Sequence, residues 1–114
     1  LDSTRGLIDR AAFAAMKDSA VVVDVSRGGV IDEAALIAAL RQGAIRGAAL
    51  DVFATEPLPA DSPLWGLENT ILTPHCSSVD AGWSARSVRM FADNLGRYRR
   101  GDTLSNIVDP ARGY

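Results

Sequence analysis

The stretch from Ala20 to Leu40, AVVVDVSRGGVIDEAALIAAL, constrains the fold of this chain more than any other. Three consecutive valines, residues 21–23, favour a short buried strand over a helix of that length. Gly28 and Gly29 permit a tight turn, and Asp32 is a good N-cap for a helix whose apolar residues recur at helical spacing. The stretch therefore predicts a strand, a glycine turn and a helix.

The same alternation continues along the chain. A helix is predicted over residues 10–17, and short strands over residues 48–52 and 70–73. The segment of residues 53–69 carries three prolines, which rule out regular pairing. Helices that alternate with strands over short links indicate an α/β fold with a parallel sheet and right-handed crossovers.

A last helix is predicted to begin at Asp80, as its N-cap, and to run to about Arg100. Its aromatic residues Trp83 and Phe91 are expected to belong to a core and not to a binding platform. Three arginines gather near its end, and they fit a solvated helix end, where cations face the negative pole, better than a site for polyanions.

The composition excludes several classes of protein. The longest apolar runs fall far short of the roughly 20 residues that a membrane helix needs, and a net charge of -2 gives no general attraction to nucleic acid. Cys76 is the only cysteine, which excludes an internal disulfide and a cysteine-built metal site. We expect a cytoplasmic protein with no membrane, nucleic-acid or metal partner, no targeting peptide and a truncated start.

Charged or titratable side chains follow each predicted strand. Arg27, Asp51 and His75 stand at the three strand ends, with Glu56 in the loop after the second strand. Because the carboxyl ends of parallel strands share one edge, where ligands bind in such sheets, we expect these four residues to converge. Their convergence would indicate a functional site more strongly than any one of the residues alone.

The chemistry of these residues suits binding of an anion or a polarised carbonyl and donation of a proton. The guanidinium of Arg27 can hold a carboxylate or a polarised carbonyl by two parallel hydrogen bonds, although a structural ion pair is the alternative. His75 backed by Glu56 would keep a fixed tautomer and donate a proton, whereas a lone histidine is more often structural. Cys76 is a poor candidate nucleophile because adjacent side chains on an extended segment point apart.

Five segments in register carry a resemblance to a known family. In order they are STRGLID, VVVDVSRGGVIDEAALIAAL, GAALDVFATEPLP, SPLW and TPH. They resemble the C-terminal portion of the D-isomer-specific 2-hydroxyacid dehydrogenases, which include glyoxylate/hydroxypyruvate reductases and phosphoglycerate dehydrogenase. The resemblance implies the second half of a Rossmann-type doubly wound parallel sheet, with residues 1–80 as a partial dinucleotide-binding domain. Residues 81–114 would be a C-terminal helix and tail that return toward an absent substrate domain.

The resemblance also implies a role for each matching residue. Arg27 would bind the carboxylate and carbonyl of a 2-keto acid, Glu56 would partner the histidine, and His75 would be the proton donor. The implied cofactor is NAD or NADP, the substrate a small 2-keto or 2-hydroxy acid, and the assembly a homodimer. The residues implied to line the cofactor site are Val25, Ser26, Arg27, Asp51, Ser77 and Ser78.

One motif expected of a dinucleotide-binding fold is not in the sequence. No G-x-G-x-x-G occurs, so the phosphate cradle of the cofactor lies outside this chain. We therefore expect the 114-residue chain alone to bind cofactor poorly and to turn over little or nothing. The alternative to an enzyme is a nicotinamide-sensing co-repressor or binding module of the same fold, since such proteins keep the same three catalytic residues.

Overall fold

The computed structural model describes residues 2–112, which divide into two compact units with the boundary between Ser77 and Ser78. The first unit contains two α-helices and three β-strands, and the second contains one α-helix and the segment after it. The elements are α1 (Arg10–Ala14), β1 (Val21–Asp24), α2 (Glu33–Arg41), β2 (Gly47–Leu50), β3 (Thr70–Leu72) and α3 (Trp83–Arg100), with 3₁₀ turns at Asp2–Thr4 and Pro63–Gly66.

The three strands form one parallel sheet in the order β1-β2-β3. Val22 is paired with Ala48, and Ala48 is in turn paired with Thr70. The α/β class and the parallel sheet predicted from the sequence are therefore confirmed. Because all three strands run in one direction, their carboxyl ends lie along one edge.

The apolar core lies between the sheet and the two helices of the first unit. Its most deeply buried side chains are Leu36 on α2, Ile45 before β2 and Leu64 in the Pro63–Gly66 turn. Phe13 contributes the buried face of α1, which ends at Ala14 and is shorter than predicted. Its C-cap is Ala15, and Met16, which was predicted to be helical, packs against the core from outside the helix.

The prediction that the valine run forms a buried strand is wrong for Val21 and Val23, and Val22 is half-buried. Val21 is 56% exposed and Val23 is 65% exposed. Among residues 2–112, β1 pairs with β2 alone, so it is an edge strand of the sheet. Side chains on the outward face of an edge strand are covered only when another element packs on them.

The helix α2 follows the prediction closely. Asp32 is its N-cap, and the Asp32 carboxylate accepts a hydrogen bond from the Ala35 N–H. The helix ends at Arg41, and Gly43 follows with φ of +64°, a left-handed conformation that glycine adopts without strain. The position of Glu33, the first helical residue, is therefore fixed by standard capping.

The second unit departs from the prediction in two respects. Its helix α3 begins at Trp83 after Gly82, and Asp80 instead accepts from the Gly82 N–H at 2.7 Å and pairs with Arg86. Trp83 and Phe91 are 49% and 70% exposed, so the prediction that they are core is wrong. One helix and the segment that follows it offer too little apolar surface to enclose them.

Candidate active site

The candidate catalytic residues all lie just beyond strand ends, as predicted. Arg27 lies three residues after the last residue of β1, and His75 lies three residues after the last residue of β3. Asp51 directly follows β2, and Glu56 lies in the loop that leaves it. The parallel sheet therefore brings all four residues to the same edge.

Glu56 and His75 form a direct side-chain pair. The distance between His75 Nδ1 and Glu56 Oε2 is 2.7 Å, and Glu56 Oε1 accepts from the Phe53 N–H at 3.0 Å. The hydrogen bond from His75, then that from Phe53, lower the pKa of Glu56 below its usual value, and the charges of His75 and Arg27 add to the effect. Because Glu56 is ionised, Nδ1 carries the shared proton, which leaves Nε2 to exchange a proton with a ligand.

The loop that carries Glu56 touches the turn that carries Arg27. A Cβ atom at Gly28 would lie 1.7 Å from the carbonyl oxygen of Phe53, so only glycine fits at this position. Sequence analysis assigned Gly28 to a tight turn, and the structure gives it this second role. The approach keeps the two loops in contact.

Arg27 is exposed, and its guanidinium donates to the Ser26 carbonyl oxygen at 2.7 Å. Among residues 2–112 Arg27 forms no ion pair, which argues against the alternative that it serves in a structural ion pair. The turn before it is shaped by Asp24, whose Oδ1 accepts from the Ser26 N–H at 2.9 Å and the Ser26 hydroxyl at 2.6 Å. Sequence analysis missed Asp24, although a carboxylate at the end of an apolar strand is a detectable signal.

Asp51 is buried, and its carboxylate holds the loop that carries His75. Oδ1 accepts from the Thr73 hydroxyl at 2.5 Å and the Cys76 N–H at 2.9 Å, and Oδ2 accepts from the Ser77 N–H at 2.8 Å. The hydrogen bond from the Thr73 hydroxyl, followed by the two backbone hydrogen bonds, lowers the pKa of Asp51 far below its usual range. Sequence analysis missed Thr73, because a threonine at a strand end has no distinctive pattern.

The loop held by Asp51 has an unusual backbone. His75 has φ of +51°, in the left-handed region that residues other than glycine adopt only where the surroundings enforce it. The hydrogen bonds of Asp51 to Thr73, Cys76 and Ser77 lie on both sides of His75. These bonds hold the backbone on both sides of His75.

Three of the other predicted cofactor-site residues lie at this edge of the sheet, and the fourth, Ser78, belongs to the second unit. Val25 and Ser26 are exposed just beyond β1, at the same edge as Asp51. Ser77 joins that edge through its backbone N–H. Ser78 is the first residue of the second unit.

A concave surface of about 570 Å³ lies next to the Glu56–His75 pair. Besides the pair, it is lined by apolar side chains that include Leu58, Trp65 and Leu72. An apolar concavity with a few convergent polar groups is typical of a small-molecule site. In the described part of the chain, no three metal-ligating side chains cluster together, and no helix has the length and apolar character to cross a membrane.

Comparison with known proteins identifies the family of this chain. The sequence model of the family described as D-isomer specific 2-hydroxyacid dehydrogenase, NAD binding domain, matches residues 1–77. The chain belongs to the D-isomer specific 2-hydroxyacid dehydrogenase family. The resemblance found in the sequence is thereby confirmed.

Similar proteins in this family are reductases. The chain is 42% identical over 108 residues to a glyoxylate reductase of Korarchaeum cryptofilum, covering 95% of this chain and 32% of that protein. It is 43% identical over 109 residues to a glyoxylate/hydroxypyruvate reductase B of Citrobacter koseri, covering 96% of this chain and 34% of that protein. The chain thus spans about a third of the length of these relatives.

Solved structures of the family match the fold. A D-isomer specific 2-hydroxyacid dehydrogenase from Xanthobacter autotrophicus Py2, in complex with NADPH and MES, superposes with a TM-score of 0.89 at 45% identity, over 100% of this chain and 46% of that one. An NADPH-dependent glyoxylate/hydroxypyruvate reductase from Sinorhizobium meliloti, in complex with NADP and sulfate, gives a TM-score of 0.89 at 32% identity, over 100% of this chain and 37% of that one. The chain therefore has the Rossmann-type fold of these dehydrogenases.

Proposed function

We propose that this protein is an NAD(P)-dependent oxidoreductase that reduces a small 2-keto acid to a D-2-hydroxy acid. The observation that carries the proposal is the Glu56–His75 pair, 2.7 Å apart, at the sheet edge that also carries Arg27. The family to which the chain belongs, and the reductase names of its relatives, support the same activity.

Each of the three residues has a distinct task in this reaction. Arg27 binds the substrate carboxylate and carbonyl through its guanidinium, and its charge stabilises the oxygen as negative charge develops there. His75 donates a proton from Nε2 to that oxygen while the carbonyl carbon gains a hydride. Glu56 keeps the imidazole oriented and stabilises its protonated form before the transfer.

The cofactor is NAD or NADP, whose reduced form would supply the hydride when bound. The residues at the sheet edge fit its nicotinamide end, because Val25 is 57% exposed there and the Asp51 carboxylate lies at the same edge. A carboxylate oxygen with a remaining lone pair can accept from a carboxamide N–H. Val25, Ser26, Asp51, Ser77 and Ser78 would line this end, together with Arg27.

The proposal extends to the organisation of the protein. Residues 1–80 would form part of the dinucleotide-binding domain, and residues 81–114 the helix and tail that return toward the substrate domain. The protein would act in the cytoplasm as a homodimer. The family match over residues 1–77 supports the first of these assignments.

The test is oxidation of NADH and NADPH by the natural-length gene product, with glyoxylate, hydroxypyruvate and pyruvate as substrates. His75→Gln should lower kcat by about 10²- to 10⁴-fold, because it removes the proton donor. Cys76→Ser is the matched control, since it changes the next residue and keeps the backbone N–H that Asp51 binds. Tight cofactor binding without turnover of any keto acid would contradict the proposal and favour a nicotinamide-sensing protein.

A further inference from the structure

The loop that carries Glu56 is held by a residue from a distant part of the chain. Glu33, the first residue of α2, accepts a hydrogen bond at Oε2 from the Ala54 N–H at 3.1 Å. The two residues are 21 positions apart, so this contact links separate elements. Glu33 is half-buried, and this is the hydrogen bond that its carboxylate forms within residues 2–112.

The peptide group between Phe53 and Ala54 is fixed at both of its polar ends. Its N–H donates to Glu33, and its carbonyl oxygen lies so close to Gly28 that no Cβ fits there. The space between the Arg27 turn and this loop is a crevice of only about 10 Å³, lined in part by Glu33 and Phe53. The group is thus wedged between α2 and the turn of Arg27.

The preceding amide along the backbone binds the Glu56–His75 pair. The Phe53 N–H donates to Glu56 Oε1, and Glu56 Oε2 is bonded to His75. Two successive N–H groups are therefore each bound by a different carboxylate, Ala54 by Glu33 and Phe53 by Glu56. The Phe53–Ala54 peptide group lies between the Phe53 N–H and Glu56 along the chain, so its displacement would change the path of the backbone from that donor to Glu56.

We propose that Glu33 is a positioning residue for the proposed reaction. By holding the Phe53–Ala54 peptide group, it sets where Glu56 lies relative to His75 and to the turn of Arg27. It touches neither substrate nor cofactor. This inference rests on the proposed function, and it adds to it a residue that acts through the backbone.

Three substitutions separate the hydrogen bond from the charge of Glu33. Glu33→Gln keeps an acceptor oxygen at the same reach and loses the charge, whereas Glu33→Asp keeps the charge at the helix N-terminus and loses the reach. Glu33→Ala loses both. If the hydrogen bond positions Glu56, Glu33→Gln should resemble the wild type, and the other two should lower kcat by about 10-fold, since small misplacements of catalytic groups cost up to about 10² in rate.

The measurements are kcat and KM of the natural-length protein with NADPH or NADH and a keto acid, beside the midpoint of thermal unfolding. KM for the nicotinamide cofactor should stay within about 2-fold in all variants, because Glu33 is not in its site. Glu68→Ala is the matched control, since Glu68 is exposed and forms no hydrogen bond or ion pair among the described residues. A merely structural role would lower the unfolding temperature and leave kcat unchanged in the folded protein.

Amide hydrogen exchange gives a second readout that does not depend on turnover. The Ala54 amide should exchange slowly in the wild type and in Glu33→Gln, and faster in Glu33→Asp and Glu33→Ala. Wild-type activity of Glu33→Asp, or unchanged exchange at Ala54, would overturn the inference. Absence of turnover in the wild type itself would instead refute the proposed function, and the exchange result would still decide whether Glu33 holds the loop.

Discussion

His75 and Glu56 come from loops 19 residues apart, and their side chains form a hydrogen bond of 2.7 Å. Neither side chain is deeply buried, since 38% of His75 and 34% of Glu56 is exposed. An exposed pair of this kind contributes little to stability, because solvent screens it. Its geometry supports the proposed role of the pair in proton transfer.

Glu56→Gln should lower kcat/KM for keto-acid reduction by about 10- to 100-fold, which is part of the roughly 10²- to 10⁴-fold that proton transfer by a positioned side chain contributes. Glutamine preserves the shape of the side chain and removes the negative charge that stabilises protonated His75. Steady-state kinetics of the natural-length protein would measure the loss. Glu68→Gln is the control, and equal kinetics for the two variants would contradict the role of Glu56.

Arg27→Lys should weaken the use of keto acid by about 10²- to 10³-fold in kcat/KM, because an ammonium cannot form the two parallel bonds of a guanidinium. Binding of the cofactor alone, followed by nicotinamide fluorescence, should change far less. The exposed Arg99→Lys serves as the control for the same chemical change. A loss confined to cofactor binding would contradict this role and indicate that Arg27 binds the nucleotide and not the substrate.

Asp51 makes stability depend on pH with a defined sign. The pKa of Asp51 is lowered in the folded protein. The contribution of Asp51 to the free energy of unfolding is therefore fully present above the ordinary pKa of 3.8 and is lost as the pH falls below it. The difference in unfolding free energy between the wild type and Asp51→Asn should therefore be constant above about pH 5 and shrink toward about pH 2. Urea unfolding over this range measures it, with the exposed Asp18→Asn as control. A difference that grows as the pH falls would contradict the assignment.

The 114-residue chain should bind NADH or NADPH much more weakly than the natural-length protein does. The sequence lacks the glycine motif that binds a pyrophosphate at a helix N-terminus, and these contacts supply much of the affinity for a dinucleotide. Isothermal titration of both proteins with each cofactor tests this. Micromolar affinity of the 114-residue chain would contradict this prediction, because contacts at the nicotinamide end alone would then suffice for tight binding.

Much of the first unit could be predicted because its signals are local. The capping of α2 by Asp32 and the left-handed Gly43 follow from residue chemistry within one turn. The convergence of Arg27 and His75 follows from the rule that parallel strands share an edge.

The contacts that hold the site together were not predictable from local patterns. The hydrogen bonds from the Ala54 N–H to Glu33 and from the Ser77 N–H to Asp51 join residues 21 and 26 positions apart. Each has a backbone N–H as donor, which every residue but proline offers, so no sequence pattern marks it. The exposure of Phe91 was missed for another reason, since helical spacing identifies an apolar face without saying what covers it.

The open edge of β1 has a consequence for handling the chain in solution. Val21 and Val23 present apolar side chains along a strand whose backbone pairs on one side only among the described residues. Such an edge can add a strand from another molecule, and repeated addition builds β-rich fibrils. Concentrated samples of the 114-residue chain should therefore gain thioflavin fluorescence with time, and a lysine in place of Val23 should delay it.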